Sequence, residues 1–95
     1  MLVNPNDAKL TSSLAFYRAL AGRPDFLAPL RRSLQLDPHS QEILCRNAET
    51  YVIAGDRAHA LELVRQATNG CDTATHRSIY LQDLVPPAGA KAKTP

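Results

Sequence analysis

Apolar residues recur at helical spacing through most of this chain, most regularly between Pro38 and Gly70. With Leu44 as origin and a step of 100° per residue, Ala48 and Tyr51 fall within about 40° of it and form one narrow stripe. Further on, Ala60, Leu63, Val64 and Ala67 follow the i, i+3, i+4, i+7 pattern, with Leu61 on the flank. The ends are marked too. Asp37-Pro38 stops one helix, because proline cannot donate to the ladder and pushes the residue before it out of the α region. Ser40 supplies a cap for the next helix, and Glu42 suits the positive end of its dipole. That helix runs to about Ala54. Gly55 then provides a left-handed residue, Asp56 caps a helix that runs to about Thr68, and Asn69-Gly70 closes it. Two apolar stripes joined by a tight Ala-Gly-Asp turn predict an antiparallel helical hairpin.

The preceding residues repeat this organisation, with a helix over about Asp7 to Ala21 and a partner over about Pro24 to Leu36. A shift of 34 residues lays Leu10 on Leu44, Tyr17 on Tyr51, Arg23 on Arg57, Leu27 on Leu61, Leu30 on Val64 and Arg31 on Arg65. On this register Tyr17 and Tyr51 are both core residues. The Ala21-Gly22 turn stands one position out of step with Ala54-Gly55, and Pro29 predicts that the second helix kinks or starts late. Asn4-Pro5 lies 33 residues before Asp37-Pro38 and reads either as the end of a preceding repeat or as punctuation before a first helix. Beyond Gly70, Thr73 is a cap for a short helix over about 74–84, with Ile79, Tyr80, Leu81 and Leu84 at partly helical spacing, stopped by Pro86-Pro87.

A 34-residue helix-turn-helix period is the tetratricopeptide value, and at these residues the chain resembles the tetratricopeptide repeat family. The second repeat carries that family's small residue at Ala48, its tyrosine at Tyr51, the Gly55-Asp56 turn, small packing residues at Ala60 and Ala67, and a repeat-closing proline at Pro38. Leu14 and Phe26 depart from the pattern, being large where the family has small residues. The resemblance implies an all-α fold of antiparallel hairpins stacked as a short solenoid. Repeats of about 7–40 and 41–70 and a capping helix of about 74–84 make one domain over 1–85, and 86–95 is a disordered basic tail. It also implies a non-enzymatic adaptor or scaffold that binds a protein or peptide.

Composition narrows the alternatives. Aromatic residues are 5% of the chain and tryptophan is absent, so the core must rest on leucine, alanine and tyrosine. A net charge of +2, with Arg31-Arg32 the only adjacent basic pair on a helix, gives no basic face for nucleic acid. No apolar run approaches the roughly 20 residues of a membrane span, and the start MLVNPNDAKL has no apolar core of an export signal, which leads to a cytoplasmic expectation. On that footing Cys45 and Cys71 are expected as free thiols. His39, His59 and His76 are scattered, with Asp56 and His59 reading as a cap beside a surface histidine. There is no Cys-x-x-Cys, no His-x-x-x-His and no glycine-rich phosphate loop, so neither a cofactor nor a metal is expected. A small enzyme or metal-binding protein built on Cys71 and His76 stands as the alternative class, and a self-associating structural repeat as a third.

The candidate binding surface is the helix face opposite the Leu44-Ala48-Tyr51 stripe. There Glu42, Arg46, Glu49 and Ile53 cluster, bordered by Cys45 and Val52. The same face of the first repeat carries Ala8, Thr11, Ser12, Ala15 and Ala19. In tetratricopeptide proteins these first-helix positions line the concave groove, so the resemblance assigns a partner groove to Thr11, Ser12, Ala15, Glu42, Cys45, Arg46, Glu49 and Ile53. Glu42–Arg46 and Arg46–Glu49 would be ordinary helix pairs if the face were merely solvated. The lysines and asparagines of the family's clamp for acidic tails are missing here, and that ligand does not carry over.

Overall fold

A computed structural model describes residues 6–67 and Cys71. These residues form four helices and no strand: α1 (Ala8–Leu20), α2 (Leu27–Leu36), α3 (Gln41–Ile53) and α4 (Arg57–Gln66), with a 3-10 turn at Pro24–Phe26 leading into α2. The expected helix over 74–84 and the tail at 86–95 lie outside the described residues. No helix among the described residues is long and apolar enough to cross a membrane.

Local chemistry sets each helix end. Asp7, Ser40 and Asp56 cap α1, α3 and α4 by accepting from the backbone N–H three residues on, at Leu10, Ile43 and His59. The turns within the two hairpins are the same motif. Arg23 N–H donates to Arg18 O and Gly22 N–H to Ala19 O; Asp56 N–H donates to Tyr51 O and Gly55 N–H to Val52 O. This pairing needs a left-handed residue at its centre, and Gly22 and Gly55 supply it at φ +74° and +87°. Pro29 does not kink its helix. It falls in the first turn of α2, where its missing N–H has no intrahelical partner to lose. The late start is real, since the stretch from Pro24 winds as a 3-10 turn first. Arg23 grips the Asp25 carboxylate at 3.0 and 2.6 Å, and Arg18 on α1 donates to the Asp25 carbonyl at 3.1 Å, tying this turn to α1.

α1 packs against α2 and α3 against α4 as two hairpins, and the hairpins stack chiefly through α1 and α3. α3 is therefore enclosed on most sides, with Ile43, Leu44, Cys45, Asn47, Ala48, Thr50 and Tyr51 all buried. The core runs from Ala15 and Leu30 through α3 to Ala60, Leu63, Val64 and Ala67.

The Asp56 cap carries a pH signature. Its carboxyl is held below the usual 3.8, first by the His59 backbone N–H and then by the His59 ring. Folding thus favours the carboxylate, so the cap's contribution is present above pH 3.8 and fades as pH falls through the lowered value. Asp56→Ala is expected to lower the melting temperature at neutral pH, and melts taken well below pH 3.8 should show the gap between variant and parent closing.

Candidate interaction surface

A buried polar ladder holds the two hairpins in register. Ser12 Oγ on α1 donates to Asn47 Oδ1 on α3 at 2.8 Å. Asn47 Nδ2 donates to Ser33 Oγ on α2 at 2.8 Å, and Ser33 Oγ donates to the Leu30 carbonyl at 2.7 Å. All three side chains are buried, and each bond is enclosed where an unmade one would cost most.

The sequence-predicted groove residues divide on this joint. Thr11, Ser12, Ala15 and Cys45 are buried and do not line an open groove. The reason is that α1 and α3 pack directly on each other, so the first three lie at the seam, while Cys45 is buried in its disulfide to Cys71 within the α3–α4 core. Thr11 turns its hydroxyl back to the Asp7 carbonyl, at 2.6 Å. The other four remain reachable. Glu42 is exposed and pairs with Lys9 of α1 at 3.3 Å, in place of the expected Arg46. Arg46 lies over the Phe16 ring, 5.2 Å from its centroid, and 3.8 Å from Glu49. Ile53 is half-buried at the end of α3. Lys9, Phe16, Glu42, Arg46, Glu49 and Ile53 thus form a mixed-charge rim over the seam, with the Arg46 guanidinium already stacked on an aromatic face.

A larger feature lies on the other side of α1. Leu10, Tyr17 and Leu20, exposed by 41%, 65% and 48%, are the large exposed hydrophobic side chains among the described residues, and all three are on this helix. Leu14, half-buried, completes an i, i+4, i+7 row with Leu10 and Tyr17. Tyr17 is therefore not a core residue, and the physical reason is register. The caps Asp7 and Ser40, the glycines Gly22 and Gly55, and α1 and α3 themselves all stand 33 residues apart. On that step Thr11 matches Leu44, Ser12 matches Cys45, and Ala15 matches Ala48, buried with buried. Leu10, Leu14 and Tyr17 match Ile43, Asn47 and Thr50. The second helices keep the step of 34, Pro29 matching Leu63, Leu30 matching Val64 and Ser33 matching Ala67, again buried with buried. One residue is gained after the turn. A one-residue error on a helix rotates the face by 100°, enough to exchange core for surface. The Asn4-Pro5 and Asp37-Pro38 pairs carry the 33-residue step in the sequence itself, whereas the hydrophobic matches follow a step of 34.

Cys45 and Cys71 are joined by a disulfide, with their Cα atoms 5.6 Å apart. This corrects the expectation of free thiols. The α3–α4 hairpin folds the chain back on itself, so residue 71 returns beside residue 45, and the sequence separation of 26 becomes a contact. Cys71 is consequently no free nucleophile or metal ligand, and His76 lies outside the described residues. Elsewhere, Asp56 Oδ2 and His59 Nδ1 lie 2.6 Å apart, and the His59 ring stacks on Tyr51 at 5.1 Å between centroids. The pair caps a helix and covers the core. No group of His, Cys, Asp and Glu among the described residues is placed to hold a metal. Comparison with protein-family models, curated proteins and solved structures finds no match to this chain.

Proposed function

We propose that this chain is a non-enzymatic interaction module built of tetratricopeptide-type hairpins, and that it takes a partner's helical hairpin on the outer face of α1. The observation that carries this is the Leu10-Leu14-Tyr17 row, its ends exposed and its centre half-buried, in the positions that α3 buries. On α3, those positions meet two helices at once, because Asn47 bonds to Ser12 of α1 and to Ser33 of α2. The matching face of α1 is shaped to meet a pair of helices too. Its central residue is Leu14 where α3 has Asn47, so the partner offers an apolar seat in place of the two serines. Two exposed apolar side chains flanking a half-buried leucine on one helix face are also costly to leave in water. The Arg46-Phe16 rim is the secondary contact, giving a partner segment a fixed guanidinium and the flanking carboxylates Glu42 and Glu49.

Site-specific photo-crosslinking in the source cells tests this. A benzophenone amino acid at position 17 is expected to capture a defined partner on a helical segment, and the same probe at exposed Arg65 of α4 is expected not to. Equal labelling patterns from the two positions would remove α1 as the binding face. Arg46→Glu should weaken the captured complex without abolishing it.

A further inference from the structure

We propose that Leu14 and Lys9 select the hairpin that docks on the outer face of α1, and that this hairpin carries small apolar residues where the first hairpin has Ser12 and Ser33, and a carboxylate where it has Lys9. The inference rests on the α1 reading above and names the chemistry of the partner at that face.

The outer face of α1 continues an interface that the chain makes once already. Between its own hairpins, Asn47 of α3 accepts from Ser12 and donates to Ser33, both at 2.8 Å. Glu42 of α3 pairs with Lys9 of α1 at 3.3 Å. Each contact joins a position of α3 to a fixed position of the hairpin before it. On the 33-residue step, Leu14 stands where Asn47 stands, and Lys9 where Glu42 stands. A hairpin seated on α1 in the same way presents its counterparts of Ser12 and Ser33 to Leu14, and its counterpart of Lys9 to Lys9 itself.

Chemistry decides what those positions hold. Leucine and asparagine both branch at Cγ, so a seat of similar shape takes either one. Leucine, however, neither accepts from a hydroxyl nor donates to one. Serines enclosed beneath Leu14 would lose the partner that Asn47 gives Ser12 and Ser33, whereas alanine or glycine leaves no polar atom to satisfy. The Lys9 side chain is 72% exposed, which leaves its ammonium room to meet a second carboxylate beside Glu42. The chain's own first hairpin fails at all three positions. It would set Lys9 against Lys9 and two serines against Leu14, and its serines are already engaged by Asn47. Repulsion and unmade hydrogen bonds thus exclude a further copy of this chain as firmly as the apolar seat favours another sequence. The partner is a helical hairpin with a carboxylate and two small apolar residues, at the spacing of positions 9, 12 and 33.

A tethered probe on the full chain is the test. A duplicate of residues 7–39 is placed directly ahead of Asp7, with the first six residues kept in front of the duplicate, so that it stands one 33-residue step before α1. One form keeps the native sequence, and the other carries Ser12→Ala and Ser33→Ala in the duplicate alone. Each is joined to the parent and to a Leu14→Asn recipient, and thermal melts by circular dichroism are compared with the same recipient lacking a duplicate. On the parent, the alanine form is expected to melt about 4 °C or more above the serine form. On Leu14→Asn the order should reverse. Lys9→Glu in the alanine duplicate should add a further gain that high salt removes. The same order on both recipients overturns the selection by Leu14. A serine form that stabilises the parent as well as the alanine form also overturns it, and makes a further copy of this chain the better occupant. If the order does not reverse while position 17 still crosslinks its partner in cells, the selection fails and the α1 reading stands. If no duplicate stabilises the parent and position 17 captures nothing, both fail.

Discussion

Replacing Tyr51 by alanine is expected to cost about 3–5 kcal/mol of unfolding free energy, the usual range for truncating a buried aromatic. The ring sits where three parts of the chain meet. Phe26, at the end of the 3-10 turn, presents its edge at 6.2 Å and 85°, and His59 of α4 stacks at 5.1 Å and 22°. Alanine leaves both partners facing a void and loosens the first hairpin and α4 from α3 together. Domains of this size hold only about 5–15 kcal/mol in all, so the loss takes a large share of the total. Urea titration followed by circular dichroism should show the midpoint collapsing towards zero denaturant, whereas Tyr51→Phe should stay near the parent. Burial also holds the Tyr51 phenol above its ordinary 10.0. Folding thus favours the neutral phenol, and that stabilisation is complete below pH 10 and erodes as pH rises from there through the raised value. Tyr51→Phe should lack the erosion. A Tyr51→Ala transition that overlays the parent would place the ring outside the core.

Asn47→Ala carries the second large effect, about 2–4 kcal/mol, from a small cavity and from two buried hydroxyls left short of a partner. Ser12 loses its acceptor and Ser33 its donor, and neither reaches water. The ladder makes a sharper prediction when it is removed whole. Asn47→Leu together with Ser12→Ala and Ser33→Ala replaces the three polar side chains by apolar ones with no unsatisfied group left, and should recover most of the loss. The coupling is read from denaturation midpoints of the single, double and triple variants. If the single variant costs nothing and the triple recovers nothing, the hairpins are not registered by these bonds.

How much of this was legible beforehand can be seen at particular residues. Asp7, Ser40, Gly22, Gly55 and Asp56 act within one turn of themselves, through cap hydrogen bonds and a left-handed φ, and Pro38 stops its helix as locally. For that reason the helix ends and both hairpins could be read directly from the chain. The apolar stripe of the second hairpin was equally legible, because Leu44, Ala48, Tyr51, Ala60, Leu63 and Val64 report one buried face each. The first hairpin's core was not. Leu10 and Tyr17 have the composition of core residues, and only the placement of α3 against the other side of α1 leaves them in water.

The groove divides on the same principle. Glu42, Arg46, Glu49 and Ile53 stay at or near the surface, while Thr11, Ser12 and Ala15 vanish into a seam that exists only once two hairpins are pressed together, and Cys45 is buried in its disulfide to Cys71. Asn47 and Ser33 gave no sequence signal, being polar residues of the kind that ordinarily face solvent. The sequence by itself determined where helices begin, end and turn back. Tertiary structure decided which face of α1 is core, which polar side chains are buried, and that Cys45 meets Cys71. Helix ends are governed by neighbours within four positions, whereas burial depends on what another segment brings to the same place, and a single residue of register, worth 100° of rotation, decides it.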